Sequence, residues 1–271
     1  MERATKHPRD RVPEPMVMDD VEGVRAFHEA AQDVQMPIYE FNASMMSRLV
    51  PEGGRVLDLG SGSGQLAAHL AAGRPDLTVT CVDLSEPMLE TGRAMADKRS
   101  LDTVEFVAGD VTSLDDAVVG RPDLVSCNWT LHQLPDRDTT VAALTQIAAI
   151  RREHGSAVWL FDFARMRRDA TMRALMEVFT PGAGPQLRKD ALASEAAAWT
   201  RDEMREMLTA AGLDDLHESY DRVLETYQVW WAPGERAADA PTWGQPSISR
   251  DAAKVAQLIT GAQTDLPAAD G

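Results

Sequence analysis

Cysteine is scarce: two residues in 271, Cys81 and Cys127, neither in a Cys-x-x-Cys pair. That excludes a disulfide scaffold and suits a reducing compartment. Positive charge is also in short supply. Lysine and arginine total 27 against 43 aspartates and glutamates, a formal net charge of −16 with a pI near 4.7. Such a surface repels the phosphates of a duplex, so no nucleic-acid partner is expected. The densest cations, Arg3, Lys6, Arg9 and Arg11, fall in a proline-bearing segment and read as part of a loose tail. No apolar run approaches the ~20 residues of a membrane span, and the first fifteen residues lack the apolar core of a signal peptide. The expectation is a cytoplasmic protein with no membrane partner. No His, Asp and Glu cluster has metal-ligand spacing, so no metal is expected.

With 44% hydrophobic residues and a mean hydropathy of −0.28, the chain can build one sizeable core. No composition break divides it. Residues 1–19 carry three prolines and no periodicity and are expected to form a flexible arm. Two helical patterns follow, one around Val21–Phe27 and one carrying Ile38, Phe41, Met45 and Leu49. Short apolar runs then recur at 55–59, 78–83, 103–108, 123–127 and 156–162, with helical patterns between them. A Ser85 cap precedes one helix, and another ends in Arg151, Arg152 and His154 before Gly155. Continuous apolar strands alternating with helices predict a doubly wound α/β domain over 20–231, its parallel sheet covered on both faces. An insertion at 164–199 interrupts it. Thr200 and Glu203 then have capping-box spacing, with Gly212 as the stop. Two partly alternating runs, 215–220 and 222–231, look like an antiparallel pair. Residues 232–271 read as a partly flexible tail, with one short helix expected at 251–260.

The stretch "VLDLGSGSGQL", Val56–Leu66, sends an apolar strand into three alternating glycines and then a helix. Backbone N–H groups and a helix N-terminus at one point suit an anionic group, although a tight turn without a ligand gives the same pattern. The spacing departs from G-x-G-x-x-G, because Gln65 stands where the third glycine belongs. A P-loop is excluded by the missing Gly-Lys-Ser/Thr. Asp83 ends the second strand, where it can accept from ribose hydroxyls, and Asp110 ends the third, where it can accept from an exocyclic amine. The fourth strand ends in Asn128. Such strand ends share one crevice in an open α/β sheet.

Together, Asp58-Leu59-Gly60-Ser61-Gly62-Ser63-Gly64, Asp83, Gly109-Asp110 and the Asn128–His132 stretch with Leu134-Pro135-Asp136 resemble the class I S-adenosylmethionine-dependent methyltransferases, in their small-molecule branch. The resemblance covers about residues 37–230. It implies a three-layer α/β/α fold whose seven-stranded sheet has the order 3-2-1-4-5-7-6, with strand 7 antiparallel. S-adenosylmethionine would be the cofactor. Asp58 and the loop of Gly60, Ser61, Gly62 and Gly64 would hold its methionyl part, beside Asn128. Asp83 would take the ribose, Leu84 and Met88 would pack near the adenine, and Asp110 and Val111 would meet the adenine edge. Tyr39 is either a lid over the carboxylate or a packing residue. The implied strand order separates Cys81 and Cys127 by two spacings, about 9–10 Å, too far for a disulfide.

Methyl transfer from a sulfonium needs alignment, and deprotonation where the acceptor carries a proton. His132, after strand 4, is the candidate base, although the sequence shows no acidic residue to orient it. The other histidines, His28 among them, read mainly as surface or packing residues. The fourth strand ends Cys127-Asn128-Trp129-Thr130 and lacks the Asn/Asp-Pro-Pro-aromatic signature of base and glutamine methylation. A small-molecule acceptor is therefore expected, in specialised metabolism as one setting, with O, N, C and S acceptors all open. Acceptor selection is assigned to the N-terminal helices, the loop after strand 4 and the 164–199 insertion. In the insertion Met166, Met172, Met176, Phe179 and Trp199 either line a pocket or simply pack. Asp162, Asp169, Arg165, Arg167 and Arg168 either bind a polar acceptor or are solvated. An alkyl or aminopropyl transferase and a non-catalytic cofactor-binding subunit are the alternatives. The oligomeric state is open, a homodimer included.

Overall fold

The computed structural model describes residues 9–17, 20–30, 35–179, 184–221, 225–236 and 249–251. Two helices lead in, α1 (Val21–Ala30) and α2 (Met36–Met46). Strand and helix then alternate: β1 (Arg55–Leu59), α3 (Gln65–Gly73), β2 (Thr78–Asp83), α4 (Glu86–Arg99), β3 (Val104–Ala108), the short α5 (Asp116–Val119), β4 (Leu124–Asn128), α6 (Arg137–His154) and β5 (Ala157–Phe163). The insertion folds as α7 (Asp169–Phe179) and α8 (Pro185–Ala197). The chain continues through α9 (Arg201–Ala211), β6 (His217–Tyr220) and β7 (Tyr227–Ala232).

The helix starts are chemically marked. Ser85 Oγ accepts from the Met88 N–H, Asp136 accepts from the Thr139 N–H at 2.8 Å, and Thr200 with Glu203 closes a full capping box. The seven strands form one sheet of order β3-β2-β1-β4-β5-β7-β6. β7 runs antiparallel to both neighbours, and the other strand pairs are parallel.

Side chains of one strand alternate between the two faces. Val56, Val79, Trp159, Phe161 and Val229 meet α2 and α3 through Phe41, Met45, Met46, Leu66 and Leu70. Leu57, Leu59, Val125, Val158, Leu160 and Trp230 meet α6 and α9 through Leu144, Ile147, Met204, Met207 and Leu208. Both faces are therefore apolar, which is why the strands read as unbroken hydrophobic runs. One polar bond crosses the first layer: buried Trp159 Nε1 donates to Asn42 Oδ1 at 2.7 Å, tying α2 to β5. Cys81 and Cys127 are buried and free, on β2 and β4 either side of β1.

The expected flexible arm is corrected over 9–17. Arg9 pairs with the buried Glu195 at 2.7 Å and donates to Met166 O. Arg11 donates to the carbonyls of Ala197, Pro135, His132 and Leu134 and stacks on Trp199, 3.9 Å from the ring centre. The Val12 N–H donates to Ala196 O. Two cations read as a loose basic tail thus satisfy buried acceptors and make this segment a strap across α8 and the turn after β4. Residues 1–8, with Arg3 and Lys6, lie outside the described residues, as does the helix expected at 251–260 beyond Asp251. No helix among the described residues is long and apolar enough to cross a membrane.

Candidate active site

The parallel topology brings the C-terminal ends of β1 to β5 to one rim, with β1 and β4 adjacent at the point where the strand order reverses. β1 delivers Asp58, 3% exposed, whose Oδ1 accepts from Ser126 Oγ at 2.6 Å and lies 3.5 Å from Asn128 Nδ2, both on β4. Burial, with Asp83 nearby, pushes the Asp58 carboxyl up to about 6, against the hydrogen bonds from Ser126 and Asn128.

The glycine turn follows. Gly60, Gly62 and Gly64 all have φ between 55° and 67°. A Cβ on Gly60 would sit 2.1 Å from Thr130 Cγ2, and one on Gly64 would sit 2.6 Å from the Phe106 ring. These two allow close packing in a left-handed backbone. A Cβ on Gly62 would meet only Met88 Sδ, at 3.9 Å, so this glycine faces the open crevice. The N–H groups of Gly60 and Ser61 donate to Val82 O, that of Gly62 to Asp83 Oδ2 at 2.7 Å, and that of Gly64 to Ser61 O. The expectation that the loop's N–H groups converge on an anion is therefore corrected at these four positions: they bind the protein itself.

Asp83 also accepts from the Ser85 N–H, at 2.9 Å, and burial raises its carboxyl above the ordinary range. Beside it Leu84 is 41% exposed and Met88 is buried. Asp110 commits Oδ1 to the Thr112 N–H and hydroxyl, so an incoming amine would meet Oδ2; Val111 beside it is buried. Tyr39 is buried, donates to Gln35 Oε1 at 2.9 Å and meets Trp129 edge-on at 5.5 Å. Burial, then Asp58, raises its hydroxyl pKa.

Three features escaped the sequence. His28, on α1, reaches over the glycine turn, with Nδ1 2.8 Å from Ser63 Oγ and its ring 3.1–3.2 Å from Gln65 Nε2. Trp129 holds φ +53°, a left-handed backbone that a bulky residue seldom adopts. It stacks on Phe163 at 5.9 Å and meets Phe161 edge-on, while Phe163 stacks on Tyr227 at 5.4 Å. These rings form an aromatic wall beside Asn128.

The third feature is the acidic partner of His132. His132 is 2% exposed, and its Nδ1 lies 2.6 Å from Asp162 Oδ1 at the end of β5. Its backbone N–H donates to the other Asp162 oxygen, at 2.9 Å. Nε2 faces Glu14 Oε1 of the strap at 3.1 Å. Burial pushes the imidazole pKa down, but Asp162 and then Glu14 outweigh it and raise it to about 9. Asp162 thus serves His132 instead of standing solvated at the start of the insertion. Arg165 is buried against Glu203 and Ala198 O, and Arg167 and Arg168 are exposed. Met166, Met172 and Met176 pack into their own cluster with Phe163 and Leu192. Trp199 joins the main core and donates to Leu131 O. The side chains of Asp169 and Phe179 lie outside the described residues.

The residues present fit S-adenosylmethionine. Asn128 Oδ1, beside the carboxylate of Asp58, and Gln65 Oε1, at the start of α3, are buried acceptors without a partner, which are the acceptors an ammonium group needs. Gly62 leaves room at the same rim, and Asp83 and Asp110 stand at successive strand ends for hydroxyls and an amine.

The comparisons with known proteins agree. The Methyltransferase domain family model matches residues 56–155, from β1 to the end of α6. A release factor glutamine methyltransferase of Neisseria gonorrhoeae is 39% identical over 89 residues, 30% of this chain and 32% of the relative. A malonyl-[acyl-carrier protein] O-methyltransferase of Geobacter sulfurreducens is 30% identical over 195 residues, 69% of this chain and 68% of the relative. The matches thus span from about a third to about two thirds of these curated relatives. A SAM-dependent methyltransferase from Aquifex aeolicus shares the fold, with a TM-score of 0.53 at 16% identity over 79% of this chain and 97% of that one. On the rim geometry and the relative matched over two thirds of its length, this chain belongs to the S-adenosylmethionine-dependent methyltransferase family.

Proposed function

We propose that the protein transfers the methyl group of S-adenosylmethionine to a small molecule, with Asp58, Gly60–Gly64, Asp83, Leu84, Met88, Asp110, Val111 and Asn128 holding the cofactor and His132 meeting the acceptor. The cofactor supplies an electrophilic methyl on a charged sulfur. The chain supplies the rest. Asp58, with Asn128 Oδ1 and Gln65 Oε1, binds the methionyl ammonium, and Tyr39 covers that end. Asp83 orients the ribose hydroxyls, while Asp110 and Val111 take the adenine edge.

The observation that carries the catalytic reading is the His132–Asp162 pair, set at the ends of β4 and β5 beside the aromatic wall of Trp129, Phe163 and Tyr227. The wall excludes water and offers rings to an apolar acceptor. Asp162 fixes the Nδ1 proton of His132, and Nε2 holds or exchanges a proton at the acceptor. The strap and the 164–199 insertion form the cover over that side. Of the two curated relatives, the O-methyltransferase aligns over the longer stretch, which favours an oxygen acceptor. The missing Pro-Pro after Asn128 and the −16 charge support a small molecule over glutamine in a protein or a base in nucleic acid.

Calorimetric titration with S-adenosylmethionine, S-adenosylhomocysteine and NAD tests the cofactor assignment. Both sulfur compounds should bind and NAD should not. Asp83→Asn should weaken both by about tenfold or more, since hydrogen bonds to a charged group are lost. Failure of folded wild-type protein to bind either sulfur compound would refute the proposal.

A further inference from the structure

Glu14 occupies a place built for a carboxylate. Its side chain is 14% exposed and takes two donors, His132 Nε2 at 3.1 Å and Ser194 Oγ at 3.2–3.3 Å. The two come from different elements, the turn after β4 and α8, and converge on one carboxylate; the His132 ring meets Phe163 edge-on at 5.6 Å. Their charge surroundings are uneven. Arg165 is neutralised by Glu203, and the guanidinium of Arg11 binds backbone carbonyls at the same turn. His132 lies between Asp162 on Nδ1 and Glu14 on Nε2, so removing Glu14 takes away the negative charge on the Nε2 side.

We infer that the acceptor carries a carboxylate, or another anionic oxygen, that displaces Glu14 and takes its two donors, His132 Nε2 and Ser194 Oγ. The strap's own carboxylate is then an internal stand-in for the acceptor. It gives Nε2 of the buried imidazole an oxygen to bond when no acceptor molecule is bound, where an unsatisfied donor would be costly. The inference rests on the methyltransferase reading and names the acceptor class within it. An anionic oxygen brings its own electron pair, takes the methyl as the carbon–sulfur bond breaks, and has no proton to release. A protonated His132 therefore holds such an acceptor without having to act as a base.

The test uses full-length protein saturated with S-adenosylhomocysteine and titrated with acetate and benzoate, each against its neutral amide. A tethered competitor acts at an effective concentration in the millimolar range. Glu14→Ala and the shape-preserving Glu14→Gln should therefore both raise carboxylate affinity, by about tenfold or more, and leave the amides unchanged. Ser194→Ala added to Glu14→Ala should reverse part of that gain. If Glu14 were only a structural clamp, the variants would melt earlier with no gain in carboxylate binding, and that result overturns the inference. Amides binding as tightly as acids, or no carboxylate binding to a variant that still binds S-adenosylhomocysteine, also overturns it and leaves the methyltransferase reading standing. Loss of S-adenosylhomocysteine binding in the wild type sinks both.

Discussion

Changing Asp162 to Asn should flatten the alkaline limb of the protein's stability curve. In the folded protein Asp162 and Glu14 raise the His132 pKa to about 9 against the effect of burial, compared with 6.5 for the free side chain. The folded state thus keeps a proton that the unfolded chain releases. The resulting stability is complete below about pH 6.5 and is lost as the pH rises through about 9. A separation of roughly 2.5 pH units corresponds to at most about 3–4 kcal/mol, with a local slope of up to about 1.4 kcal/mol per pH unit. The substituted amide can still accept from Nδ1–H but carries no charge, so only Glu14 is left to oppose burial and the His132 pKa falls. Urea unfolding of both proteins at half-unit steps from pH 6 to 9.5 measures the difference, and groups common to both cancel. The wild-type curve should fall more steeply between pH 7 and 9. Nitrogen-15 shifts of the His132 ring follow the same proton directly. Parallel stability curves, or a wild-type ring that loses its proton near pH 6.5, would refute the account.

Other expectations follow from the same geometry. Gly64→Ala forces a left-handed alanine against the Phe106 ring and should cost about 2–4 kcal/mol in thermal melts. Gly62→Ala should cost only the backbone share, about 1–2 kcal/mol, yet weaken S-adenosylhomocysteine binding, because its methyl enters the crevice. Asp58, raised to about 6, must be ionised to hold an ammonium. Calorimetric affinity for S-adenosylhomocysteine should therefore fall about tenfold between pH 7 and pH 5, and Asp58→Asn should remove that dependence. Glu195→Ala removes the buried carboxylate that Arg9 and the Met166 N–H share. It should cost about 2–4 kcal/mol and make the bonds around Arg9 and Arg11 cleavable by trypsin under native conditions.

The parts of this fold that announce themselves in sequence are those settled within a few residues. The Thr200–Glu203 capping box, the stops at Gly155 and Gly212, and the five apolar runs that became β1 to β5 are all local patterns. The glycine turn was equally legible as a turn, but the direction of its N–H groups depends on Val82 and Asp83, one strand away. His132 was legible as a candidate, whereas its partners lie 30 residues downstream and 118 upstream, and nothing near either marks the pairing. Arg9 and Arg11 misled for a related reason. Arginines in a proline-bearing stretch look solvated until the carbonyls that receive them are known.

The placement of β7 has a consequence for the newborn chain. β5, with its run Ala157-Val158-Trp159-Leu160-Phe161-Asp162-Phe163, pairs with β4 on one side but waits on the other for Tyr227–Ala232. At about 5–20 residues per second, the 64 residues from Phe163 to Tyr227 take about 3–13 s to emerge. For that interval a nearly uncharged, aromatic-rich strand has one edge without its cognate partner, the kind of template that recruits other chains. Expression of this protein should therefore respond to the speed of translation and to chaperone supply, and any stop codon between residues 164 and 226 should yield aggregates, not a smaller folded protein.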